Sequence, residues 1–212
     1  IALSSDKAAA PINLYGATKL CSDKLFVAAN NYAGREGLFS IIRYGNVMGS
    51  RGSIIPHFIK QGGSGELNIT DKSMTRFNIT LEHSVDLVLF AIKNSFGSEI
   101  LIPKIPSYRI TDLAKSIAPS CKLNVIGIRP GEKIHEEMVT ESDSFTTFDI
   151  GDYYIVLPNK NKKIQNHYSK KFNLKKVKKG FRYNSGLNPS FLKIDQIRKL
   201  IKKHVDKNFK PI

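Results

Sequence analysis

Apolar positions open the chain as a short run, Ile1 to Leu3, and then take up helical spacing between Tyr15 and about Tyr32, where Ala17, Cys21, Leu25, Ala28 and Ala29 recur before Gly34. The next apolar stretch, Phe39 to Tyr44, is short and rich in isoleucine between Gly37 and Gly45, which predicts a second buried strand. Strand, helix and strand in this order predict a βαβ unit with parallel strands and a right-handed crossover. Beyond it the pattern predicts a short helix at Ile54 to Ile59 and short strands at Leu67 to Thr70 and Ile100 to Ile102. Thr80 caps a helix to about Asn94, Thr111 caps one ending before Pro119, Lys122 to Ile128 reads as a strand and Glu132 to Val139 as helical. Tyr153 to Leu157 predicts a strand, and the lysine- and asparagine-rich remainder to residue 187 reads as a connection outside the core. After Asn188-Pro189, Ile194, Ile197, Leu200, Ile201 and Val205 form one stripe of an amphipathic helix that should pack against the body. No repeat of 20 to 50 residues is present, so solenoids and propellers are excluded. Alternating helices and strands give the fold class as α/β.

Composition changes this picture little until the charge is mapped. The 212 residues, 41% hydrophobic and 24% charged, suffice for one core or two small subdomains, and no run approaches a membrane span. The net charge of +15 is local: residues 1–158 hold 16 basic and 16 acidic side chains, whereas residues 159–212 hold 17 basic and 2 acidic. Fifteen of those 17 are lysine, a hydrated point charge poorly suited to reading bases, so a solvated surface is favoured over a specific nucleic-acid site; weak, salt-sensitive polyanion binding is the expectation that remains. Cys21 and Cys121 stand 100 positions apart with no C-x-x-C, which excludes a disulfide framework, fits a reducing cytoplasm and suggests two small core residues. The five histidines have no metal-ligand spacing, and Glu136-Glu137 reads as a solvated helix face. An isoleucine at position 1, opening straight onto an apolar run, reads as an internal start.

The most informative segment is Ser4-Ser5-Asp6-Lys7 followed by Tyr15-Gly16-Ala17-Thr18-Lys19. Tyr15 and Lys19 lie four apart and share a helix face, and a neighbouring ammonium lowers a phenol pKa from about 10 toward the range of a usable base. Alone, a Y-x-x-x-K pair is a weak signal. Here it opens a helix just after a strand that ends in hydroxyl and charged residues, where open parallel sheets place their chemistry.

The string IALSSDKAAAPINLYGATKL resembles the active-site segment of extended short-chain dehydrogenases/reductases. Its Asp6-Lys7 pair is that of the inverting branch of the nucleotide-sugar 4,6-dehydratases, the UDP-N-acetylglucosamine type of the pseudaminic acid pathway, where retaining relatives carry Asp-Glu. RYGNVMGSRGSIIPHF, MTRFNIT, IRPGEKIHE and FRYNSGLNPSFL agree with it in order and spacing. The resemblance implies the C-terminal part of a Rossmann-type doubly wound parallel sheet with a smaller α/β substrate-binding subdomain. It implies that residues 1–50 close the cofactor-binding domain and that 51–158 are mainly substrate-binding, with some elements returning to the Rossmann-type domain; 159–187 are a lysine-rich connection and 188–212 a C-terminal amphipathic helix. It further implies NADP as cofactor, a UDP-sugar as substrate, a cytoplasmic homo-oligomer, and dehydration across C4 to C6 with inversion at C5.

By the same resemblance Tyr15 and Lys19 act in catalysis and bind cofactor, and Val47 lies against the nicotinamide. Lys7 is the C5 base, Asp6 the acid for the leaving C6 hydroxyl, and Ser5, with Ser4 as fallback, bonds the reacting oxygen. Asn46, Arg76 and Arg129 contact substrate. Asp6 and Lys7 as a mere strand-end ion pair is the alternative reading. At the level of function the alternatives are a UDP-sugar epimerase of the capsule-synthesis type and a silent chain with a polyanion-binding tail. Gly45, Gly49 and Gly52 follow the wrong strand to form a phosphate turn, and no other segment carries that fingerprint, so the 212 residues alone are expected to lack turnover.

Overall fold

The computed structural model describes residues 1–34, 38–157 and 162–212. In chain order the elements are β1 (Ala2–Ser5), α1 (Leu14–Ala29), β2 (Ile41–Tyr44), β3 (Asn46–Val47), α2 (Ile54–Gly62), β4 (Glu66–Ile69), β5 (Thr75–Ile79), α3 (Leu81–Asn94) and β6 (Ile100–Pro103). There follow β7 (Ser107–Arg109), α4 (Ile110–Ile117), β8 (Lys122–Val125), β9 (Glu137–Val139), β10 (Thr147–Asp149), β11 (Tyr153–Val156), α5 (Lys162–Lys171), β12 (Lys175–Lys176), β13 (Tyr183–Asn184) and α6 (Ile194–His204). They form two compact bodies, neither continuous in sequence: one of residues 1–44, 84–104 and 137–184, the other of 45–83, 105–136 and 185–212. Among the described residues no helix is long and apolar enough to cross a membrane.

The first body is built on a six-stranded sheet of order β1-β2-β6-β11-β10-β12. Strands β1, β2 and β6 are parallel and the last three antiparallel, so the expected βαβ unit is present, with α1 as its crossover. Ile42 and Leu101 from the sheet, Leu87 and Ala91 from α3, and Ile164 and Tyr168 from α5 share one core. The lysine-rich stretch is therefore not a bare connection. Ile164 and Tyr168, four apart, give α5 a buried face, and Phe172 and Leu174 pack behind them. The surrounding lysines hid that short apolar period. Tyr168 donates to Glu99 Oε1 at 3.0 Å, and burial followed by the Glu99 carboxylate holds the phenol proton well above its usual range.

The second body holds β3-β5-β7, the pair β4-β8, and helices α2, α4 and α6. Its core gathers Phe58, Leu67, Leu113 and Ile117, against which Ile197 and Ile201 of α6 are fully buried, as the stripe in that helix requires. Three sequence expectations are corrected. Residues 132–139 hold no helix: β9 begins at Glu137, and both glutamates are buried rather than solvated. Cys21 is exposed on α1 and so is not a core residue, whereas Cys121 is half-buried and packs against this core, its thiol donating to the Gly62 carbonyl at 3.2 Å.

Candidate functional site

At the C-terminal end of β1 the chain turns through a short 3-10 helix, Asp6–Ala8, capped by Ser5, whose hydroxyl accepts from the Lys7 amide at 3.3 Å. Asp6 is fully buried; its Oδ1 accepts from the Ser5 hydroxyl at 2.8 Å and from the Lys7 ammonium at 3.1 Å. The buried carboxylate thus orients both neighbours, and its Oδ2 has no hydrogen-bond partner among the described residues. Ser4 is buried, and its hydroxyl likewise finds no partner there. Ser5, Asp6 and Lys7 form one cluster. Ala10, at φ 47°, holds the following loop in the left-handed region, strain of a kind that gathers at functional sites.

Helix α1 begins where that loop returns. Asn13 caps it by accepting from the Gly16 amide at 2.8 Å, and Tyr15 stands 54% exposed in the first turn. Lys19 lies one turn on, but its ammonium donates to the Leu3 carbonyl of β1 at 3.3 Å and not to Tyr15, so the pair shares a face without a direct bond. Burial, and secondarily the nearby Tyr15, raises the pKa of Tyr44. Gly16 allows the close approach of helix and loop: a Cβ there would stand 2.5 Å from the Lys7 carbonyl and 3.0 Å from Pro11 Cβ. Gly16→Ala gains about 1 kcal/mol of helix propensity, yet the neighbour is backbone and must move. The expected result is a net loss of about 1–3 kcal/mol in a urea unfolding curve.

Sequence reasoning missed what holds α1 down. Arg43 of β2, 3% exposed, donates from Nη2 to Asp23 Oδ2 of α1 at 3.0 Å and from Nη1 to the Met138 carbonyl at 2.9 Å and Asp143 Oδ2 at 3.3 Å. Asp23 is 2% exposed. Gly16 and Asp23, seven apart, are the buried residues of α1, a face that the apolar spacing of Ala17, Cys21 and Leu25 did not mark.

The second body contains a cavity of about 720 Å³, within the range of small-molecule sites, and Asn46, Arg76 and Arg129 all line it. These three come from β3, β5 and the loop before β9, up to 83 positions apart, and Lys60, Asn68 and Thr70 join them in the lining. Gly45 sets β3 close to β5, since a Cβ there would collide with Phe77. Val47 follows in β3, half-buried and paired with Ile79. The Arg76 Nη1 donates to the Thr75 and Ile134 carbonyls at 2.7 and 3.1 Å, and its Nε stands 3.8 Å from the buried Glu136. Glu136, misread as solvated, is the counter-charge that permits a guanidinium only 13% exposed.

Behind Arg76, His135 Nδ1 lies 2.8 Å from the Thr75 hydroxyl, which lies 2.7 Å from the Ser185 hydroxyl; that oxygen accepts from the Glu136 amide at 2.9 Å. Burial, then the Arg76 charge, lowers the His135 pKa below 6.5, with Asp71 opposing. The fold favours the neutral ring, so this contribution to stability is full above about pH 6.5 and is lost as pH falls toward the depressed value. Comparing urea midpoints at about pH 7.5 and pH 5, His135→Asn is expected to show a shallower loss than the parent; equal losses would remove His135 from the account.

The sequence model of the family described as polysaccharide biosynthesis protein matches residues 1–158. The UDP-N-acetylglucosamine 4,6-dehydratase (inverting) of Campylobacter jejuni is 51% identical over 199 residues, 90% of this chain and 59% of that protein. The UDP-glucose 4-epimerase of Rickettsia canadensis is 42% identical over 160 residues, 73% of this chain and 47% of that protein. Among solved structures, Pen from Bacillus thuringiensis superposes with a TM-score of 0.79 at 34% identity, covering 95% of this chain and 61% of that one. The chain spans about three fifths of the length of the dehydratase it matches.

Proposed function

The chain belongs to the polysaccharide biosynthesis protein family, and from that premise we propose that it supplies the acid–base and substrate-binding groups for dehydration of UDP-N-acetylglucosamine. The product is a UDP-4-keto-6-deoxy-hexose inverted at C5. The observation that carries this reading is the Lys7 ammonium held 3.1 Å from a fully buried Asp6 at the end of a parallel strand. Tyr15 removes the C4 hydroxyl proton, and the resulting ketone acidifies C5. With the proton they share resting on Asp6, the neutral Lys7 amine takes the C5 proton while the Asp6 carboxylic acid protonates the departing C6 hydroxyl, and one molecule of water leaves; their hydrogen bond then returns the proton from the Lys7 ammonium to the Asp6 carboxylate. Reprotonation of C5 on the opposite face gives inversion.

A nicotinamide nucleotide, NADP in this reading, supplies hydride acceptance and return when bound. The donors present suit such a group: Tyr15 is largely exposed, and Lys19, one turn away, donates among the described residues to a main-chain carbonyl. Lys19 and Tyr15 would hold the ribose and Val47 would lie against the ring. In the second body, Arg76 and Arg129 supply cationic donors for the diphosphate and Asn46 an amide.

The test is the product formed by the complete gene product from UDP-N-acetylglucosamine. A 4-keto-6-deoxy sugar bearing solvent deuterium at C5 is expected. A 4-epimer retaining its C6 hydroxyl would establish instead the epimerase reading, which the 42% identical epimerase favours.

A further inference from the structure

The outward face of α3 has no part in the reading above. Val85, Leu89 and Ile92 follow at intervals of four and three residues, the spacing of a coiled-coil seam, and stand 49%, 58% and 66% exposed. Phe96, four residues on and just past the helix end, is 38% exposed. The inner face is already committed, with Leu87 and Ala91 fully buried in the core of the first body. A helix with one buried face normally shows water a polar one. Here the four side chains leave roughly 400 Å² of apolar surface in water, the size at which a patch on a soluble protein often marks an interaction site.

The charges beside this row select what covers it. Asp86 and Lys93 are both exposed and lie seven residues apart, so they share one flank of the row, separated by about 10 Å along the axis. With the acid toward the start of the helix and the base toward its end, that flank is complementary to itself after a two-fold rotation about an axis perpendicular to the helix. An antiparallel pair sets each Asp86 against the other copy's Lys93, both on the same side of the seam, and closes the apolar rows on each other. A parallel pair would bring the charged flank of one copy against the opposite flank of the other and match neither charge. The geometry points to α3 as the seam of an antiparallel two-fold contact between two copies of this chain. The pair buries roughly 800 Å² from the rows alone, which places it at the small, reversible end of protein interfaces.

The test is sedimentation equilibrium of the complete gene product over a range of concentrations. Leu89→Asp is expected to lower the oligomer mass. Asp86→Lys and Lys93→Asp should each weaken association about fivefold or more by placing like charges together, and the double exchange D86K/K93D should restore it to near the parent value. An oligomer mass indifferent to Leu89→Asp, or a double exchange no better than either single one, would overturn the proposal. So would a Leu89→Cys side chain, in a Cys21→Ser background, that resists maleimide in a protein sedimenting as a monomer, because the row would then be covered within one copy.

Discussion

Replacing Lys7 by alanine in the complete gene product leaves the buried Asp6 carboxylate without its cation and so costs stability, but under conditions where the variant is folded it is expected to lower dehydration of UDP-N-acetylglucosamine by about 10²- to 10⁴-fold, the usual cost of losing a general base. The side chain is 31% exposed at a strand end, and its removal leaves no cavity in either core. The loss should fall on one step. Solvent deuterium should no longer enter C5, while a 4-keto sugar still forms and is seen on rapid quenching. Tyr15→Phe acts earlier and should abolish the 4-keto sugar itself. Those two signatures separate a base from an ion-pair partner: if Lys7→Ala kept near-parent turnover and C5 exchange, Lys7 would only be neutralising Asp6, and the inverting assignment would lose its chemical basis.

Asp23→Ala is expected to cost about 3–5 kcal/mol, because it leaves the buried Arg43 guanidinium without its 3.0 Å partner. Asp143, 27% exposed, and the Met138 carbonyl remain bonded to Nη1, so the lower end of that range is expected. A urea unfolding curve measures it. The same change frees the middle of α1, which carries Tyr15 and Lys19, so activity should fall even at temperatures where the variant stays folded. A cost below about 1 kcal/mol would mean that the remaining partners satisfy Arg43 and that α1 is held by packing alone.

Elements whose burial is periodic were legible in the amino-acid order. The βαβ opening, α3 and α6 follow from apolar spacing and caps: the Thr80 hydroxyl does accept from the His83 amide at 3.2 Å, and Ile197 and Ile201 are the buried stripe of α6. Helix α1 was legible as a helix, but the apolar row that marked it is not its buried face: Cys21 and Leu25 are exposed, and Gly16 and Asp23 are buried. Ser5, Asp6 and Lys7 were legible as neighbours, and Tyr15 and Lys19 as one helix face, because short-range spacing on a strand end and a helix is fixed by local geometry.

What the sequence could not decide is which distant charges meet. Glu136 and Glu137 look like a solvated pair because glutamate is seldom buried alone. Each is buried here with an arginine, Arg76 from 60 positions upstream and Arg182 from 45 downstream, and no local period records such a partner. Asp23 with Arg43, and Tyr168 with Glu99, are cases of the same kind. The tertiary structure also decided that Asn46, Arg76 and Arg129 line one cavity, and that a lysine-rich stretch keeps two side chains for the core. The physical reason is common to all of them: burying a charge or a phenol is unfavourable until its partner is in place, and only the folded chain puts the partner there.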